Sequence, residues 1–175
     1  MKKKLRRLSK DDFYKLSQII DYQFGANVSK ILLGNENNIN KILVYKSPNT
    51  LRIREVYFEN IPLFTIRAED FKILLRIYGA YRLWRHTVQP AYRVTVVNEV
   101  AEYIIEGGNV FSRHVLVVDE NRRYGDDVIV VNETDELLAV GVLRMSPEEI
   151  LFFTRGEAVR VRETIKDLKR EDGYG

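Results

Sequence analysis

The segment from Arg93 to Glu163 constrains the fold most strongly, because it alternates short β-branched apolar runs with glycine, asparagine and aspartate. Apolar runs of this length, bounded by turn-forming residues, are typical of strands in a small all-β structure. We therefore predict a small β-barrel in this part of the chain. The runs are residues 94–97, 115–118, 128–131 and 137–143.

Four short motifs punctuate the same segment, and their order is more specific than any one of them. They are Gly107-Gly108-Asn109-Val110-Phe111, Tyr124-Gly125-Asp126, Ala139-Val140-Gly141 and Gly156-Glu157-Ala158-Val159. In this order they resemble the PUA domain, the RNA-binding fold named after pseudouridine synthases and archaeosine transglycosylases. The resemblance implies that the barrel binds RNA.

Further motifs upstream extend the resemblance: Asp21-Tyr22-Gln23-Phe24-Gly25, Arg52-Ile53-Arg54, Thr65-Ile66-Arg67-Ala68 and Gly79-Ala80. They resemble the segment before the PUA domain in archaeosine tRNA-guanine transglycosylases and their amidinotransferase relatives. Family members usually have Asp-Gly where this chain has Asp70-Phe71, so we expect the local turn to differ. The implied fold class is α+β, with an N-terminal α/β pre-PUA domain (helices plus antiparallel sheet) before a C-terminal PUA β-barrel. The likeness covers most of residues 16–163.

Local signals place the elements of the N-terminal part. Ser9 fits an N-cap, with Asp12 three positions later as a capping-box variant, and Gly25 can end the helix in a left-handed conformation. Three strands should then form an antiparallel meander. Residues 71–75 fit either a strand or a helix. The other predictions are helices at 27–33 and 79–85, a polar loop at 35–40, and the strands at 41–46, 51–58 and 61–67.

A helix-breaking stretch at residues 88–91 predicts the domain boundary. We therefore predict a pre-PUA domain at 1–89, a PUA barrel at 90–165 and a frayed, charged tail at 166–175. Within the barrel, Asn98 can begin a helix that Gly107 ends. Ser146-Pro147-Glu148-Glu149 is a strong signal for the start of another helix.

The net charge of +3 predicts little attraction of the whole molecule to nucleic acid, but the charges are clustered. The first ten residues carry six cations and no acid, and residues 67–93 carry six cations and two acids. The second cluster is interleaved with Tyr78, Tyr81, Trp84 and Tyr92. This pattern fits a surface that follows phosphates and stacks bases, and it fits equally a solvated helix face above core aromatics.

Few residues could support catalysis. The chain has no cysteine, and His86 and His114 have no metal ligands at a familiar spacing. Asp126-Asp127 could pair as acids, although a turn before a strand is the commoner use of such residues. We expect no metal, no cofactor and no enzymatic activity, and the resemblance implies that base exchange belongs to a separate domain. No apolar run could span a bilayer, so we expect a cytoplasmic protein without membrane contact.

The resemblance also implies which residues contact RNA: Gly107, Gly108, Asn109, Val110, Phe111, Ser112, Arg113, His114, Arg160 and Arg162. Phe111 could instead be a core aromatic. Strand alternation predicts that Arg160 and Arg162 point outward, where arginines are often only solubilising. The family often has lysine near Arg113 and an apolar residue near His114. Lys2, Lys3 and Lys4 should add diffuse charge from a mobile end.

These features favour a non-catalytic protein that binds structured RNA, most of all tRNA. The resemblance implies that it docks tRNA for a separately encoded enzyme, such as an archaeosine transglycosylase. A PUA-type factor for ribosome biogenesis or translation, which would bind rRNA, is the alternative. An unrecognised small-molecule enzyme that uses Asp126, Asp127 or His114 is the alternative from another class.

Overall fold

The computed structural model describes residues 3–171 of the 175-residue chain. By internal contacts the chain divides into two compact units, Met1–Leu83 and Trp84–Gly175. Each unit is built around one sheet.

The first unit contains a five-stranded antiparallel sheet in which spatial order follows chain order, so the predicted meander is confirmed. Its strands are β1 (Arg6–Arg7), β2 (Ile42–Lys46), β3 (Ile53–Phe58), β4 (Ile61–Ile66) and β5 (Ile73–Leu75). Its helices are α1 (Lys10–Phe24), α2 (Val28–Leu33) and α3 (Ile77–Arg85).

Helix α1 begins and ends where its sequence signals predict. The Ser9 hydroxyl accepts a hydrogen bond from the Asp12 backbone N–H at 3.2 Å. The helix ends at Gly25, whose φ of 121° is unfavourable for residues with a side chain. The Asp12 carboxylate binds Lys46 Nζ at 2.7 Å, which ties α1 to β2. The apolar face against the sheet is formed by Phe13, Leu16, Ile20 and Phe24.

Three segments of the first unit bear on the sequence predictions. The polar loop is a 3-10 helix, Glu36–Lys41, whose start is stabilised by a hydrogen bond from Asn35 N–H to the Asn38 side chain at 3.0 Å. The ambiguous residues 71–75 include β5. In the basic N-terminal segment, Arg6 and Arg7 pair with β2 as strand β1, and Lys3 binds Glu55. That Lys2, Lys3 and Lys4 lie on a mobile end stays a prediction. Lys2 lies outside the described residues.

The second unit is a nearly closed barrel of six strands, as the sequence predicts. Its sheet order is β7, β11, β10, β9, β6 and β8, with only β6 and β9 parallel. The strands are β6 (Arg93–Val96), β7 (Val110–Phe111), β8 (Val115–Val118), β9 (Asp127–Val131), β10 (Leu137–Leu143) and β11 (Glu157–Thr164). The helices are α4 (Ala101–Ile105), α5 (Pro147–Phe152) and α6 (Ile165–Glu171).

The barrel interior is apolar and continuous, because alternate apolar residues of the strands face it. Every residue of β9 is buried. The predicted helix from Asn98 to Glu106 is split into a 3-10 turn, Asn98–Val100, and α4. The predicted frayed tail is helical as far as Glu171, since the Asp167 carboxylate caps α6 at the Thr164 N–H. Residues 172–175 lie outside the described residues.

The first residue of β6 is a buried cation. Arg93 is 1% exposed, and its Nε donates to the Asp135 carboxylate at 2.7 Å. The guanidinium also donates to the Trp84 carbonyl at 3.0 Å and to both oxygens of Thr87 at 2.9 Å. A buried charge needs such a complete set of partners. The residues before the barrel therefore complete its core.

Candidate nucleic-acid interface

The turn after α4 has glycine at two positions with different surroundings. Gly107 has a φ of 100°, which side chains disfavour, although a Cβ would meet nothing within 4 Å. At Gly108 a Cβ would lie 2.2 Å from Cε1 of the Tyr103 ring. Gly107 is exposed, so its bare backbone is open to a ligand.

Asn109 fastens this turn to the last strand of the barrel. Its amide nitrogen donates to the Glu157 carboxylate at 2.9 Å, and its amide oxygen accepts from the Val161 N–H at 3.0 Å. Both polar groups of the side chain are therefore occupied inside the protein. Val110 and Ser112 are buried, at 1% and 3% exposure. These three residues position the loop, with Val110 and Ser112 buried and Asn109 half-buried.

Phe111 and Arg113 are the exposed side chains between these buried positions. Phe111 is 38% exposed, so the alternative that placed its ring in the core is wrong. Arg113 is exposed, and its Nε donates to Nε2 of His114 at 3.1 Å. Together with three residues before β11 they line a cavity of about 290 Å³, which we call the Phe111 pocket. Its lining is Phe111, Arg113, Thr154, Arg155 and Gly156.

A second cavity, of about 200 Å³, lies beside Gly107. We call it the Gly107 pocket. An ion pair between Lys166 and Glu106 crosses its rim. Its lining is Ile105, Glu106, Gly107, Val161, Arg162, Thr164, Lys166 and Asp167. Of the ten residues implied by the resemblance, four line these two pockets: Phe111, Arg113, Gly107 and Arg162.

The two arginines of β11 have different environments. Arg160 points outward, with 58% of its side chain exposed, and binds Glu157 at 2.9 Å. Arg162 is only 27% exposed and donates to the Asp127 carboxylate at 2.6 Å. The register between β10 and β11 shifts at this point, so Arg162 has no directly opposite partner on β10. Val159 belongs to the barrel core and Val161 packs against it, so the predicted alternation holds, but Arg162 binds a buried carboxylate on the outer face and is not merely solubilising.

Asp126 and Asp127 do not act as a pair. Asp126 accepts from the Arg123 backbone N–H at 2.9 Å and closes the turn before β9. Asp127 is buried and binds Arg162. Among residues 3–171 no group of three His, Cys, Asp or Glu side chains could hold a metal ion. No helix in the same range is long and apolar enough to cross a membrane.

Sequence reasoning missed three exposed residues next to the Phe111 pocket. Phe152 and Phe153 are 80% and 51% exposed, and their rings meet edge to face at 5.2 Å. Arg155 follows them and lines the pocket. The sequence signal that could have predicted these exposed rings is the run of large apolar residues at 151–153. It lies at the end of a helix, and a helix on the surface can bury only one side.

The basic stretch at residues 67–93 is largely engaged within the protein. Arg67 binds Asp70, and Arg93 is buried. The Arg82 guanidinium lies 4.2 Å from the centre of the Phe58 ring. The Trp84 indole donates to the Asp135 carbonyl at 2.8 Å. These contacts favour the interpretation of this stretch as structural.

Two protein families match the chain in the same order. The patch-forming domain C2 of tRNA-guanine transglycosylase matches residues 14–90, and the PUA domain matches residues 92–165. The chain is a C2 domain followed by a PUA domain. The two matches confirm the resemblance that the motifs predict. We call the protein the C2–PUA chain.

Curated relatives of the C2–PUA chain are tRNA-guanine(15) transglycosylases. That of Methanosphaera stadtmanae is 37% identical over 90% of this chain, and that of Pyrococcus abyssi is 40% identical over 84%. The chain spans about a quarter of their length, 23% and 24% respectively. It corresponds to their C-terminal region.

Solved structures agree with the fold of the C2–PUA chain. A hypothetical protein of Pyrococcus horikoshii superposes with a TM-score of 0.72 at 24% identity, over 98% of this chain and all of the other. A PUA-domain protein of Aeropyrum pernix superposes with a TM-score of 0.68 at 18% identity, over 97% of this chain and 90% of the other. At these identities the likeness concerns the fold.

Proposed function

We propose that this chain binds structured RNA, most readily tRNA, through the Phe111 and Gly107 pockets, and performs no chemistry on it. The observation that carries the proposal is the Phe111 pocket, where one exposed ring lies with Arg113 and Arg155. An exposed ring can stack on a base, while guanidinium groups bind phosphate through paired hydrogen bonds. Phe152 and Phe153 extend the aromatic surface beside it.

The remaining residues support this contact in distinct ways. The open backbone at Gly107 allows a nucleotide to approach closely, and Arg160 adds exposed charge on the neighbouring strand. Asn109 keeps the loop in place. Arg162 acts through its position in the Gly107 pocket while it holds Asp127. His114 orients Arg113 by accepting its Nε–H.

The names of the relatives suggest the RNA and the partner. Since proteins that match this chain over about a quarter of their length are tRNA-guanine(15) transglycosylases, we infer that it docks tRNA for a separately encoded transglycosylase in the cytoplasm. A role in ribosome biogenesis, with rRNA as ligand, would be revealed by the same binding assay.

A titration of tRNA and rRNA fragments at two salt concentrations tests the interface. Arg113→Ala should weaken tRNA binding by ~1–3 kcal/mol, by analogy with other bidentate contacts. The control is Arg123→Ala, which removes the same charge from an exposed arginine outside both pockets. We expect the control to cost less and to act equally on all RNAs. Equal losses in the two variants would refute the assignment of the pocket.

A second assay tests the absence of chemistry and the need for a partner. Purified protein is incubated with unmodified tRNA and labelled guanine, with and without a transglycosylase that lacks its own PUA domain. We expect no incorporation by this protein alone and stimulation of the partner enzyme at limiting tRNA. Incorporation by this protein alone would make it an enzyme.

A further inference from the structure

The first unit holds two large apolar side chains at the surface in an unfavourable backbone conformation. Leu51 and Phe71 have φ values of 56° and 60° and are 63% and 43% exposed. Residues with a side chain rarely adopt such a φ, and exposing a large apolar side chain to water costs free energy. An unfavourable conformation that exposes a large apolar side chain makes both positions candidates for contact with a ligand.

Both side chains line one continuous groove. Phe71 and Leu51 border a cavity of about 340 Å³, whose apolar wall includes Leu16, Ile19 and Ile53. A second cavity, of about 330 Å³, shares Leu51 and Lys46 with the first and includes Tyr45. We call the two cavities together the Leu51 groove.

The rim of the Leu51 groove is strongly basic. Six cations line it, against one acid, Asp12, which binds Lys46 at 2.7 Å. Lys3 binds Glu55. Among the described residues, no acidic side chain lies within ion-pair distance of the other four cations, which are Lys4, Arg6, Lys15 and Arg52. The groove therefore carries excess positive charge beside an apolar wall.

Arg52 links the charge to the aromatic wall. Its guanidinium carbon lies 5.1 Å from the centre of the Phe71 ring, a stacking distance. A flat ligand can lie on such a layer and use the free donors of the guanidinium for a phosphate. Aliphatic acids would use the cations but not the ring. Bases within a duplex are already stacked and could not enter the cavity.

We propose that the Leu51 groove binds an unpaired nucleotide segment of RNA, with a base against Phe71 and Leu51 and phosphates at Lys4, Arg6, Lys15 and Arg52. The proposal rests on the proposed function, since it adds a second contact for the same RNA. It gives the C2 domain a binding role of its own. An acidic peptide would be the competing occupant.

Phe71→Gly is a sharp test, because glycine suits a φ of 60°, which offsets part of the packing lost with the half-exposed ring. We expect its affinity for labelled oligoadenylate to fall about tenfold, as expected for the loss of one stacked base, with no loss for duplex RNA. Phe71→Trp, which keeps an aromatic ring at this position, should bind oligoadenylate as the unaltered protein does. The matched control is Asn60→Gly, which relieves a φ of 73° in the exposed turn after β3, outside the groove.

Charge is tested separately. Arg52→Ala and Lys15→Ala should each weaken oligoadenylate binding and flatten its salt dependence, whereas Lys30→Ala, at an exposed position of α2, should not. Unchanged binding in Phe71→Gly, or tighter binding of polyglutamate than of oligoadenylate by the unaltered protein, would overturn the proposal. If tRNA binds and depends on Arg113 while Phe71→Gly has no effect, the groove fails and the proposed function stands. If tRNA does not bind at all, the proposed function fails.

Discussion

Gly141 and Gly107 lie in the same barrel, yet glycine is required at each for a different physical reason. At Gly141 a Cβ would lie 2.3 Å from the Arg160 carbonyl oxygen, at the bulge between β10 and β11. Backbone cannot move aside as the end of a flexible side chain can. At Gly107 the space is open, and only the φ of 100° opposes a side chain.

This contrast predicts unequal costs for the same substitution. Gly141→Ala should lower the free energy of unfolding by ~3 kcal/mol through overpacking. Gly107→Ala should lower it by only ~1 kcal/mol, the strain of an unfavourable φ. Chemical denaturation of both variants measures the difference. Equal losses would mean that β11 shifts to make room at Gly141.

Among the secondary-structure elements, an ion pair across β10 joins β11 to β9. Arg162 of β11 donates to the buried Asp127 carboxylate of β9. The neighbouring Asp126 instead closes a turn through one backbone N–H. Two adjacent carboxylates thus hold different parts of the barrel.

Replacing Asp127 and Asp126 one at a time should lower the free energy of unfolding by different amounts. Asp127→Ala should lower the free energy of unfolding by ~1.5–3 kcal/mol, because it removes charged hydrogen bonds and leaves Arg162 partly exposed without this partner. Asp126→Ala should cost ~1 kcal/mol, the value of one ordinary hydrogen bond. Thermal or urea unfolding gives both values. A small loss for Asp127→Ala would show that Arg162 is as well solvated without its partner.

For the whole molecule, the carboxyl groups with lowered pKa values concentrate in the first unit. A hydrogen bond from Lys46 lowers the pKa of Asp12. Burial would raise the pKa of Glu55, but hydrogen bonds from Lys3 and Tyr57 outweigh it and leave this pKa below its ordinary value. A lowered carboxyl pKa stabilises the fold above the unfolded pKa of about 4, and this contribution is lost as the pH falls through the folded pKa.

We therefore expect stability to fall progressively below about pH 4–5, with the first unit unfolding before the barrel. Amide signals of each unit, followed by NMR during acid titration, separate the two events. Asp12→Asn should be less stable near neutral pH and should lose less on acidification. An acid transition that is unchanged in this variant would contradict the role of the Asp12–Lys46 contact.

By internal contacts, the second compact unit begins at Trp84, earlier in the chain than the boundary that the sequence predicts. Arg93 donates to the Trp84 carbonyl and to Thr87, so residues before the predicted boundary at 88–91 satisfy a charge in the barrel core. We propose that the second domain begins at Trp84. A fragment of residues 84–171 should unfold at a higher denaturant concentration than one of residues 90–171. Equal midpoints would favour the later boundary.

Elements that depend only on neighbours in the chain were predictable from the residues. Ser9 and Gly25 bound α1 because capping is decided within one turn of helix. The alternation of apolar runs with turn residues located the long barrel strands, because strand pleat and turn chemistry are local. The order of the glycine motifs, compared with a known family, supplied the rest of the architecture.

The tertiary structure alone decided which of these residues face one another. Arg162 binds Asp127, 35 positions away in the chain, because β10 and its neighbours bring the two side chains to the same face of the sheet. Phe111 met Arg155 because β7 pairs with β11. Leu51 and Phe71 came to share one groove because separate turns of the meander lie side by side. Such contacts depend on register and burial between distant segments, and no local pattern of residues encodes them.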